Sequence, residues 1–229
     1  MKSSNIFAFL FILPFLSFSQ SFNVDSEVEL YLQKNFSQLG LSQNDYSDYA
    51  IYREYQSTQT GLTHVFLQQN YLGLPIHKAE IRLHYRADKG WLKTQNTFVN
   101  NVEDLQIFNQ TAFSRIEAIE SACRLLDIPY TKPKRISKKN EFTSLYQAEF
   151  SLSPIPVKSA YFLNNNSLRK VWDLTIYEND ASNYWNVLVD ALTGEILKKY
   201  NWVQHCTFNA EVACAHETHE TLAAVEEYI

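Results

Sequence analysis

The sequence predicts an α+β fold made of two consecutive units, each a helix packed on an antiparallel sheet. Three observations lead there. The spacing of apolar residues runs helical, then alternates strictly, then repeats that change once more further along the chain. Turn residues divide the alternating stretches at short intervals. After the first twenty residues no stretch is apolar enough to leave water altogether.

Those first twenty residues, MKSSNIFAFLFILPFLSFSQ, place one lysine before an apolar run from Ile6 to Phe18, with Ser17 and Ser19 near a plausible cut. That pattern predicts a secretory signal peptide, because the run is shorter than the roughly 20 residues a membrane-spanning helix needs. The remainder of the 229 residues is expected to be exported and soluble, and is long enough for one large domain or two small ones.

The first helix is expected over residues 25 to 39, where Val28, Leu32, Phe36 and Leu39 form one stripe. Ser26 and Glu29 read as a capping box and Gly40 as the stop. Strands follow over 49 to 55, 63 to 71, 76 to 85 and 91 to 99, separated by Thr60-Gly61, Gly73-Leu74-Pro75 and Asp88-Lys89-Gly90. A second helix runs from about 111 to 126, with Ala112, Ile116, Ile119, Cys123 and Leu126 on one face and Pro129 beyond its end. Cys123 on that stripe reads as core. Further strands are expected over 145 to 152, 158 to 163, 168 to 177, 184 to 191 and 195 to 200. Asn164-Asn165-Asn166, Asn179-Asp180 and Thr193-Gly194 supply the turns.

A formal net charge of −5 and a pI of about 5.7 give no reason to expect a nucleic-acid or anionic-membrane partner. The one dense basic patch, Lys132, Lys134, Arg135, Lys138 and Lys139, lies among prolines and reads as a solvated loop. From Thr207 onward the chain carries five glutamates and no lysine or arginine. Three cysteines are an odd number for an oxidising compartment. A Cys206 to Cys214 bridge is possible, with Cys123 left as a buried thiol.

The tail also contains HETHE, residues 216 to 220, which invites comparison with the zinc-protease motif HExxH. That motif needs two imidazoles four residues apart on one helix face. Four residues after His216 stands Glu220, and no other histidine has a partner at that spacing, so catalytic residues of this type are absent from the chain. A minor alternative groups Cys206, Cys214, His216 and His219 as a zinc-binding tail.

Two longer segments carry a family resemblance. THVFLQQNYLGLPIHKAEIRLHY, residues 63 to 85, resembles the FTP motif of fungalysin and thermolysin propeptides, with His64, Gln69, Gly73, Pro75, Ile76 and Ala79 at the matching positions. VWDLTIYENDASNYWNVLVDALTGEILKKYNW, residues 171 to 202, looks like a PepSY domain, matched by Trp172, Trp185, Asp190, Ala191, Thr193, Gly194 and Glu195. The preceding helix, with Ala118 and Ala122, suits the same domain. The domain order expected is signal peptide 1–20, FTP-like domain 21–105, PepSY-like domain 106–203, and a linker or junction over 204–229.

That order is similar to the prosegment of secreted metallopeptidases, with residues 38 to 69 favouring the fungalysin (M36) side. The resemblance implies a zymogen inhibitor and folding assistant rather than an enzyme. Its partner would be a metalloprotease catalytic domain, in cis or in trans, and that domain is expected beyond this chain. No cofactor is expected here, zinc belonging to the protease. The motif positions read as structural in physical terms: Gly73 and Gly194 as tight reversals, Asp190 as an acceptor for turn amides, Gln69 and His64 as cross-sheet partners. Tyr200, Asn201 and Trp202, at the exit of the last strand, are the candidate junction contacts. The alternative is a free-standing inhibitor or PepSY-type binding module.

Overall fold

A computed structural model describes residues 23–92 and 94–203, so the expected signal peptide, Cys206, Cys214, His216 and His219 lie outside the described residues. Among the described residues the fold is broadly α+β, mostly sheet with two α-helices. The described chain divides into two compact units, residues 23–69 with 79–103 and residues 70–78 with 104–203. The segment 70–78, expected in the first unit, belongs to the second.

In the first unit α1 spans Val24–Asn35 and buries Val28 and Leu32. The helix begins one turn's edge earlier than the Ser26 to Glu29 pattern implies. Asn23 is its cap, accepting from the Ser26 amide at 3.2 Å, while Glu29 accepts from Gln33 Nε2 instead. An amide-accepting Asn is as good a cap as Ser, and it lies one residue ahead of the helical dihedrals. The Leu41 amide closes back on the Phe36 carbonyl at 2.9 Å across Gly40, whose φ of +71° makes that turn possible.

Strands β1 (Tyr49–Gln56) and β2 (Thr63–Tyr71) pair antiparallel, with a register break between Ile51 and Arg53. β3 (Leu74–Arg86) neighbours β2 through Leu72 and Gly73, both at positive φ, the conformation two-residue hairpins favour. β4 (Gly90–Trp91) and β5 (Gln95–Asn96) pair with β3. They replace the single strand expected over 91 to 99. Side chains there compete with the ladder: Asn96 Oδ1 takes the Phe98 amide and Thr97 bonds to Glu80. The unit's core joins Val28 and Leu32 to Val65, Leu67, Ile81 and Leu83.

The second unit is a six-stranded antiparallel meander. Its added flanks are β6 (Gln106–Phe108), parallel to part of its fourth strand below, and Ile76, which bridges to Tyr161. α2 spans Arg115–Leu125 behind a capping box in which Ser114 and Glu117 satisfy one another's amides. The meander is β7 (Lys134–Lys138), β8 (Thr143–Gln147), β9 (Ile155–Asn164), β10 (Ser167–Tyr177), β11 (Tyr184–Asp190) and β12 (Ile196–Asn201), paired in chain order. β7 corrects the expectation of a loop at the basic patch. All five of its residues are exposed on an edge, and lysines on both edge strands oppose pairing with another chain. Ala118, Ile119, Ala122 and Cys123 of α2 share one buried cluster with Val157, Leu174, Ile176, Val187 and Val189.

Candidate functional site

The residues singled out by the sequence fall into five separate arrangements. In the first unit Gln69 is fully buried and works as a brace. Its Nε2 donates to the carbonyls of Asp45 and Val99 at 2.8 and 2.9 Å, and its Oε1 accepts from the Val99 amide at 2.7 Å. Asp45, which sequence reading passed over, continues the brace by accepting from the amides of Ser42, Asn101 and Val102. Burial pushes its carboxyl upward, but those amides outweigh it and leave the pKa below the ordinary aspartate value.

His64 lies elsewhere in the same unit. It stacks on Tyr55 with ring centroids 4.8 Å apart, and His84 meets it edge-on at 4.8 Å. Arg53 covers the Tyr55 and Phe66 rings. Burial lowers the pKa of both histidines, and for His84 the charges of His64 and Arg82 lower it further. His84 Nδ1 is buried without a hydrogen-bond partner. The sequence offered no signal for this pair beyond two histidines on facing strands.

Within the second unit, Gly73 at φ +73° and buried Pro75 shape the segment 70–78. His77 follows, its Nδ1 lying 2.9 Å from Asp173 Oδ2, while Asn186 Nδ2 donates to the other Asp173 oxygen at 2.6 Å. The register of β10 and β11 places Asp173 and Asn186 on one face of the sheet.

Trp172, Asp190 and Gly194 come together at the entry to α2. Trp172 Nε1 donates to the Phe113 carbonyl at 2.8 Å, and Arg115 lies over its ring. Asp190 accepts from the amides of Leu192 and Thr193 and from Arg169 Nε at 2.5 Å. Burial raises the Asp190 pKa, but Arg169 and the two amides bring it below the ordinary value. Gly194 holds φ +74° against Phe113. The amides of Ala112 and Phe113 both donate to the Ala191 carbonyl, so the same turn fastens the chain before α2 to the end of β11.

The candidate junction residues sit at the end of β12. Tyr200 carries Lys78 over its ring at 4.0 Å. Asn201 Oδ1 accepts from the amides of Tyr184 and Val203. Trp202 is exposed and meets Tyr184 edge-on. Cys123 has no such surface character: it is fully buried and burial pushes its thiol up to about 12. Among the described residues no group of three His, Cys, Asp or Glu is placed to hold a metal ion, and no helix is long and apolar enough to cross a membrane.

No protein-family profile matches the sequence, and no curated protein matches it. Among solved structures, the chain is similar to the Bacillus megaterium YpeB C-terminal domain, at 8% identity and a TM-score of 0.35 over 81% of this chain and 67% of that one. It is also similar to a candidate lipoprotein from Clostridium difficile 630, at 13% identity and a TM-score of 0.24 over 80% of this chain and 96% of that one.

Proposed function

We propose that the chain is a prosegment-type module of an exported fungalysin-like zinc metallopeptidase, restraining the protease and assisting its folding, and carries no catalysis of its own. The observation that carries this reading is the order of the two motif-bearing segments, FTP-like at 63 to 85 and PepSY-like at 171 to 202, in a chain whose first twenty residues read as an export signal. The roles of the motif residues agree with it. Gln69, Asp190, Gly194 and Trp172 brace turns and helix entries, which suits a module whose purpose is a stable binding shape.

Such a module acts by occupying the protease cleft with no scissile carbonyl in reach of the attacking water. Shared connectivity would raise its effective concentration to about millimolar, so modest affinity suffices while the parts are joined. Acting in trans, it would need affinity of its own. A prosegment that stabilises the protease's folding transition state would also lower the barrier behind that enzyme's kinetic stability.

The test is to add the purified chain to a fungalysin-type endopeptidase and follow both peptide hydrolysis and refolding of the denatured protease. Inhibition near equimolar ratio, with faster recovery of activity on refolding, is expected. Undiminished hydrolysis at large excess, with no effect on refolding, would leave a binding module unconnected to proteolysis.

A further inference from the structure

A groove of about 430 Å³ opens in the second unit where the end of α2, the β8 to β9 connection and the β10 to β11 turn meet. Its apolar lining comes from Leu126, Ile128, Pro129 and Phe150. Asp127, Glu149, Glu178 and Asp180 line it as well. Its volume lies in the range of ligand-binding clefts.

The charges are arranged against ordinary helix electrostatics. The end of a helix carries partial negative charge and favours cations. Here the residue just past the C-cap is Asp127, held at φ +55°, a conformation that costs a non-glycine side chain about 1 kcal/mol. Glycine or asparagine is the usual occupant of that position. Glu149, Glu178 and Asp180 also line the groove, and none of the four acidic residues forms a salt bridge with a described lysine or arginine. Arg124 in the last turn is exposed and forms none either.

Two of the four carboxylates, those of Glu178 and Asp180, are held by hydrogen bonds. Glu178 accepts from Trp185 Nε1 at 2.6 Å, Asn183 Nδ2 at 3.2 Å and Ser182 Oγ at 3.1 Å. Asp180 accepts from the Ser182 amide at 3.0 Å. Asn179 Nδ2 donates to the Glu149 carbonyl and ties two walls together. Held this way, they do not converge as metal ligands must, since no three acidic groups among the described residues are so placed.

A spread of carboxylates around an apolar floor suits a cation carried on a hydrocarbon stem, as lysine and arginine side chains are. We infer that this groove receives a lysine or arginine side chain presented by a partner polypeptide. The stem would lie on Phe150, Ile128 and Leu126, and the charged head would reach the carboxylates of the β10 to β11 turn and of Asp127. This inference is independent of the prosegment reading.

The test is titration of the full chain, by amide and indole NMR, with three blocked pentapeptides: alanine with a central arginine, lysine or glutamine. Shifts centred on Ile128, Phe150, Asp180 and the Trp185 indole are expected with the arginine and lysine peptides and not with glutamine. The double variant Asp127→Asn, Asp180→Asn should weaken binding at least tenfold while leaving the rest of the spectrum unchanged, and added salt should weaken it in the wild type. Equal shifts with the glutamine peptide, unchanged affinity in the folded variant, or no groove shifts at all would overturn the inference. Protease inhibition is not read in this experiment, so its outcome and that of the prosegment test are separable.

Discussion

Gly194 lies so close to Phe113 that a Cβ built on it would fall 2.3 Å from the ring's Cε1. Two demands meet at this one residue, because its φ of +74° also lies in the left-handed region. Gly194→Ala is therefore expected to destabilise the second unit by about 2 to 4 kcal/mol, from backbone strain together with overpacking. Thermal unfolding followed by circular dichroism should fall by on the order of 10 °C. The companion variant Phe113→Ala decides the cause. If the ring contact matters, Gly194→Ala costs less in the Phe113→Ala background, and additive costs would remove the contact from the account.

Gln69 offers a second test, in the other unit. Replacing it with leucine keeps the volume roughly constant but leaves the buried Asp45 carbonyl and the half-buried Val99 carbonyl and amide without their side-chain partner. Each unsatisfied buried group costs about 1 to 3 kcal/mol, so Gln69→Leu should cost about 3 kcal/mol or more. Denaturant unfolding measures it. A midpoint unchanged from wild type would show that the loop around Asp45 finds other partners.

How much of this was legible beforehand depends on how far apart the cooperating residues stand in the chain. The hairpin at Gly73, the turn at Gly194 and the stripe of α2 from Ile116 to Cys123 are local patterns and match the observed elements, although α2 starts at Arg115 and leaves Ala112 outside the helix. The Asp45 brace was not legible. Its partners are Gln69 and residues 99 to 102, and an aspartate in a polar stretch looks like any solvated loop residue. Phe113 and Arg169 were missed for the same reason: each matters only through a contact made after folding. The strand β7 was read as a loop because lysines and prolines mask its alternation, and its partner strand lies after the turn. The groove draws on three separate stretches and has no linear signature.

The histidine pair sets a pH dependence for the first unit. Both His64 and His84 have pKa values below the ordinary 6.5. The unfolded chain therefore takes up protons first, so stability is full above pH 6.5 and declines as pH falls toward the folded values. At His84 the charges of His64 and Arg82 reinforce the effect of burial. Melting temperature measured from pH 8 to pH 5 should decrease, and His84→Gln should flatten the lower part of that curve. A wild-type curve level through this range would contradict the assignment.

Asp190 places the second unit's acid sensitivity lower. Its carboxyl titrates below 3.8 because Arg169 and two turn amides favour the charged form over the effect of burial. A depressed aspartate stabilises above its unfolded pKa and loses that contribution as pH falls through the folded value. Removing the cation should move this window upward. Arg169→Leu leaves a carboxylate that is 2% exposed with only its amide donors. A cost of about 3 kcal/mol at pH 7 is expected, the usual penalty for breaking a buried pair from one side. It should shrink as pH falls toward 4, where the orphaned acid can protonate. Adding Asp190→Asn to Arg169→Leu removes the stranded charge while keeping an acceptor for Leu192 and Thr193. The double variant should thus be more stable than Arg169→Leu alone at pH 7, and a double variant that is weaker still would assign the pair's value to packing rather than charge.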